Sequence, residues 1–169
     1  MQLIAGRVAQ EFNERKDRHG AFWEDRYHAT AVQTGDHLIR CLVYIDLNMV
    51  RAGVVSHPRE WPHSGYSEIQ SSPERRRIID RATLLQLTGH QSWERFKKAH
   101  EQWIKAALDA PVQHRQAQWT DSLAVGDEQY LHELKAQLGA GASYRSMDDE
   151  PGDLVLKDSE CAYRAHFRR

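Results

Sequence analysis

Cysteine is scarce in this chain of 169 residues: Cys41 and Cys161 are the only two, far apart in sequence. That excludes a disulfide scaffold and a cysteine-rich zinc site, and it fits a reducing cytoplasm. No apolar run approaches the roughly 18 residues a membrane span needs, so no membrane association is expected. The start, MQLIAGRVAQEF, has no basic segment leading into an apolar block, and no signal peptide is expected there. Neither charge sign dominates: Lys+Arg number 23 and Asp+Glu 24, a formal net of −1. A uniformly basic coat of the histone or ribosomal-arm type is therefore excluded. What is present is 40% hydrophobic and 28% charged residues with a mean hydropathy of −0.73, polar for a globular domain yet short of wholesale disorder. The length allows one domain and hardly two. No internal repeat is visible.

The near-zero net charge is an average over unlike segments. Residues 1–63 carry eight basic and eight acidic side chains. Residues 64–119 carry nine basic and six acidic, and residues 120–169 six and ten. An acidic end thus masks a mildly basic middle, densest at Arg75, Arg76, Arg77 and Arg81. Such a cluster serves either as a solvated helix face or as a phosphate-contacting patch.

Hydrophobic spacing predicts an α+β chain that is predominantly helical. Ile4, Val8 and Phe12 mark a helix over 2–16, with no capping residue before it. The aromatic and β-branched run after Gly20 predicts a strand near 26–33. A helix over 37–52 follows the Gly35-Asp36 turn and stops at Gly53, and a short helix is expected at 64–70. Helices over 80–88 and 91–109 have Asp80 and Ser92 as candidate caps, and the second carries Trp93, Phe96, Trp103, Ile104 and Leu108. A last amphipathic helix is expected over 127–138, and a loose Gly-, Ser- and Asp-rich tail after it.

The helix over 37–52 is the most informative. At 100° per residue, Leu38, Leu42, Ile45, Met49 and Ala52 form one apolar flank; Ile39, Val43, Leu47 and Val50 form the other. Between them runs a stripe of His37, Cys41, Tyr44, Asn48 and Arg51. Two apolar flanks predict a helix sandwiched in a core, and a polar stripe there needs partners. The stripe is either structural, with Tyr44 packing its ring and Asn48 tying down a loop, or it lines a site. In the second case Tyr44 is a nucleophile and Asn48 an oxygen ligand one turn away. A phenol has a pKa near 10, so it needs help to attack.

The segment YIDLNMVRAGVV at 44–55, followed by WPHSGYSEI at 61–69, resembles the signature of the REP-associated tyrosine transposases. These are bacterial relatives of the single-tyrosine, His-hydrophobic-His transposases. FNERKDRHGAFWEDRYHA at 12–29 and WTDSLAVGDEQYLHELKAQLG at 119–139 are similar to flanking blocks of the same family. The resemblance implies a remnant of a ferredoxin-like βαββ-type core without its first strands, followed by C-terminal helices. Residues 1–70 would be the core part with the tyrosine helix, 71–139 a helical extension, and 140–169 a loose acidic tail. It implies DNA transposition: Tyr44 attacks a phosphodiester of single-stranded or hairpin DNA, and a Mg²⁺ or Mn²⁺ ion, with Asn48 as one ligand, activates the phosphate. Arg15, Lys16, Arg18, Arg26 and Arg51 are the expected nucleic-acid contacts.

Two departures from the family stand out. The proline after the asparagine is Met49 here, which alters the local turn. None of the ten histidines lies two residues from another, so the metal-binding pair is absent from these 169 residues. A hard cation held by one amide oxygen binds poorly, and the chain is expected to be catalytically incompetent alone. The alternatives are a non-catalytic DNA-binding module, with the helices at 80–109 as its reader, and a protein-interaction module built on the tryptophan-rich helix over 91–109, whose mark is a homo-oligomer such as a homodimer; the five tryptophans serve either its interface or the core.

Overall fold

In the computed structural model, residues 2–23, 29–71, 78–110, 115–139, 145–150 and 153–158 are described. The chain is α+β. Helix α1 spans Gln2–Arg15, and a two-residue strand β1, Ala31–Val32, follows. The strand expected near 26–33 is thus seen at its end only; residues 24–28 lie outside the described ones. Helices α2 (Asp36–Asp46) and α3 (Asn48–Arg51) come next, then α4 (Gly65–Ser71), α5 (Arg81–Thr88) and α6 (Trp93–Asp109). Strand β2 (Ala124–Gly126), helix α7 (Glu128–Leu138) and strands β3 (Arg145–Glu150) and β4 (Asp153–Asp158) complete the order.

Three helix starts carry the caps their sequences call for. The carboxylate of Asp80 accepts from the backbone of Ala82 and Thr83, the Ser92 hydroxyl from Arg95, and the Asp127 carboxylate from Tyr130. Gly89, left-handed at φ 70°, closes α5.

The sheet runs β1-β2-β4-β3. β1 and β2 are parallel, while β2–β4 and β4–β3 are antiparallel. Alternation along β2 and β4 divides their side chains between two layers. Val125 and Val155 pack with Tyr44 and Trp119; Ala124 and Leu156 pack with Leu131 of α7. The stretch read as a loose acidic tail therefore contains a hairpin whose Val155 and Leu156 are fully buried. Cross-strand pairing with Ala124–Gly126 explains the difference, because β4 buries Val155 and Leu156 only when β2 lies beside it.

Helix 37–52 also differs from its expectation. It divides at Leu47, whose φ of −84° and ψ of 3° separate α2 from α3. One flank behaves as expected: Val43, Leu47 and Val50 pack with Tyr66 of α4 and Ile104 of α6. The other does not bury throughout, since Ile45 is 52% exposed. The second buried side is instead the polar stripe, where Cys41 and Tyr44 face the sheet.

Buried polar bonds hold the C-terminal end of α2. One oxygen of Asp46 accepts from the Tyr66 backbone at 2.8 Å, and the other from His100 Nε2 at 3.0 Å. Gln70 Nε2 donates to His100 Nδ1 at 3.1 Å and to the Lys97 carbonyl at 3.1 Å. Each ring nitrogen of His100 thus has a partner, with the proton on Nε2. Gly65 permits this approach: a Cβ there would sit 3.2 Å from Asp46 Oδ1.

Candidate functional site

Tyr44 lies in the last turns of α2, 9% exposed, with its ring centroid 6.3 Å from that of Trp119. Arg51 sits seven residues on, two turns along the same side, and folds back over it. Its guanidinium carbon is 3.8 Å from the centre of the Tyr44 ring. Nη2 donates to the Tyr44 carbonyl at 2.5 Å and also to Asn48 Oδ1. Burial draws the Arg51 guanidinium below its ordinary range, and the Tyr44 phenol pushes it partly back up. An arginine remains cationic throughout the neutral range, so this is a fixed positive charge over an aromatic face.

A cavity of about 800 Å³ opens beside this group. Tyr44 and Arg51 line one side, Trp103 of α6 lines another, and Gln116, Gln118 and Trp119 come from the turn before β2. Trp119 Nε1 donates to Gln116 Oε1 at 2.7 Å, which sets the orientation of the indole. At the rim, Asp153 Oδ1 accepts from His37 Nδ1 at 2.7 Å and from Arg40 Nη2 at 2.5 Å. These bonds tie the start of α2 to β4.

The structure brings together Tyr44, Asn48 and Arg51, as the helical stripe predicted. His37 belongs to the rim, through Asp153. The remaining basic candidates do not join them. Arg15 pairs with Glu11, Arg18 donates to the Ala21 carbonyl at 3.2 Å, and Lys16 is exposed; none of the three lines the cavity. Arg26 lies outside the described residues, as do Arg75, Arg76 and Arg77. Sequence reasoning missed Trp103, Gln118, Trp119 and Asp153 as neighbours of Tyr44. They reach it through tertiary packing from 59 to 109 positions away, where no periodicity carries a signal.

The donor set tests the implied divalent metal. Asn48 Oδ1 already accepts from Arg51, so an ion on that oxygen would lie against a guanidinium. Like charges at such range repel strongly. Of the two carboxylates that line the cavity, Asp36 and Asp153, the second is itself paired to an arginine. The residues around Tyr44 do not fit a metal in this arrangement.

No protein-family model, curated protein or solved structure matches the chain. Among the described residues no helix is long and apolar enough to cross a membrane.

Proposed function

We propose that this chain is a DNA-binding protein of the REP-associated tyrosine transposase kind, acting on single-stranded or hairpin DNA, and that the 169 residues do not cleave it by themselves. On this reading residues 1–70 belong to a ferredoxin-like βαββ-type core and 71–139 to its helical extension. The YIDLNMVRAGVV motif supports the family, and one observation carries the functional part. Arg51 covers the Tyr44 ring and occupies Asn48 Oδ1, presenting a cation beside a tyrosine at the mouth of a cavity. Both bonds come from Nη2. Guanidinium groups grip phosphates, and this one lines the cavity. The same bonds oppose cleavage. They engage the oxygen the family uses for its metal, which leaves the phenol without that activator.

The test is a labelled DNA hairpin with a single-stranded extension, mixed with the protein and Mn²⁺. A salt-sensitive mobility shift is expected, weakened about tenfold by Arg51→Ala, with no adduct surviving denaturing electrophoresis. An adduct that disappears in Tyr44→Phe would overturn the claim of inactivity. Absence of a shift even at low salt would overturn the DNA reading.

A second reading, a protein-interaction module, is favoured by α1. Leu3, Ile4 and Val8 are 80%, 63% and 44% exposed on this helix, an apolar stripe of the kind that partners cover. Sedimentation of the protein and of Ile4→Asp tests it; self-association lost in the variant is the expected mark.

A further inference from the structure

Helix α1 takes its contacts from the turn that follows it. Trp23 Nε1 donates to the Ala5 carbonyl at 3.0 Å, Asn13 Nδ2 donates to the Gly20 carbonyl at 3.0 Å, and the Phe22 ring lies 4.7 Å from that of Phe12. Those contacts cover the side that carries Ala5, Ala9 and Asn13, which are half-buried. The neighbouring side is open. Ile4, Val8 and Phe12 follow one another at four-residue steps and are all exposed. They form a row within about 80° of arc, with members about 6 Å apart along the axis. Rows of this spacing are the ridges by which two helices interlock. Along the edge of the row away from Ala5 and Ala9 stand Arg7 and Glu11, one turn apart. Arg7 is exposed and has no ion pair among the described residues; Glu11 pairs with Arg15 in an exposed position.

We propose that α1 docks against α1 of a second copy of this chain, antiparallel, with the two rows interleaved and Arg7 opposite Glu11 of that copy. The inference rests on the interaction reading above and specifies its surface and orientation. Charge complementarity selects both. A twofold axis between antiparallel helices brings each edge of the row against the same edge of the other helix. With the axis level with Ala9, Arg7 faces Glu11 of the second copy and Glu11 faces its Arg7, which makes two opposite-charge pairs. The same placement offsets the rows by about 3 Å, half of one step. Ile4, Val8 and Phe12 then alternate along the seam with their counterparts. An axis level with Val8 would set the rows head-on, and one level with Arg7 would set the two Arg7 side chains against each other. Parallel pairing would set the Arg7–Glu11 edge against the Ala5–Ala9 edge, where no charge answers it. A two-helix seam is small, so a concentration-dependent equilibrium between monomer and dimer is expected rather than a permanent dimer.

The experiment is sedimentation velocity of the full chain over a concentration series, with Arg7→Glu, Glu11→Arg, an equimolar mixture of those two, and Ile4→Asp. Far-UV circular dichroism checks the helix content of each. Like charges brought face to face in each single variant should weaken self-association about tenfold, and the mixture, in which both pairs are opposite again, should recover it. Should one single variant lose helix, the double variant Arg7→Glu/Glu11→Arg decides, because it restores both pairs within one chain. Self-association that Ile4→Asp abolishes and the charge variants leave unchanged overturns the inference and keeps the interaction reading. Weakening in the single variants without recovery in the mixture or the double variant overturns it as well. An unsubstituted chain that stays monomeric over the whole series overturns both.

Discussion

Two carboxylates fasten helix α2, one near each end, and each meets a histidine. Asp46 and His100 are 4% and 0% exposed at their side chains and lie 3.0 Å apart. Asp153 and His37 are 2% and 17% exposed and lie 2.7 Å apart. The difference lies in what surrounds them. Around the first pair, Gln70 and the Tyr66 backbone bond the remaining ring nitrogen and carboxylate oxygen. Around the second, Arg40 is 42% exposed and the cavity opens alongside. Similar chemistry thus does two jobs. One pair locks α2 to α4 and α6; the other holds the start of α2 to β4 beside the cavity.

The largest effect should come from the sealed pair. Asp46→Ala leaves a buried imidazole and a buried backbone N–H unpaired, and about 3 kcal/mol of stability should be lost in urea unfolding. Asp153→Ala should cost only about 1 kcal/mol, because Arg40 can turn to water. Equal losses would erase the distinction between lock and rim. Asp46→Asn sharpens it further. An amide oxygen can still accept from Tyr66, so the loss should be about half that of the alanine variant.

The smallest effect concerns acid. The Gln33 side-chain amide and the Tyr130 backbone hold the Asp127 carboxyl below its ordinary value of 3.8, and the nearby His37 charge adds to this. The Thr83 hydroxyl and backbone do the same for Asp80. A depressed folded-state pKa gives stability that is present above the unfolded value and is lost as pH falls through the folded one. The melting temperature should therefore fall as pH drops below 3.8, and Asp127→Asn should flatten that limb slightly. An unchanged acid limb in the variant would show that the Asp127 cap does not contribute to acid stability.

Local features were legible in the sequence. Asp80 and Ser92 mark helix starts because a cap acts within three residues of itself, whereas the capping role of Asp127 was not read. Tyr44, Asn48 and Arg51 meet because helical spacing alone brings them together. The hairpin was not legible. Arg145–Glu150 reads RSMDDE, with one apolar side chain, and its pairing energy comes from β4 and β2 rather than from its own pattern. Asp46 was unreadable for a similar reason: one carboxylate in an apolar run gives no hint of a histidine 54 positions away.

The strand order has a bearing on how the protein is made. Ala31 pairs with Ala124, and Val125 with Val155. Synthesis runs from the N-terminus at about 5–20 residues per second. A growing chain completes the tyrosine helix long before β2 and β4 exist to cover it. During that interval Tyr44 has neither Trp119 nor Val155 against it. The tyrosine enters its packed setting only after Val155 has been translated, so termination before β4 yields a product with the motif but without the cavity beside it.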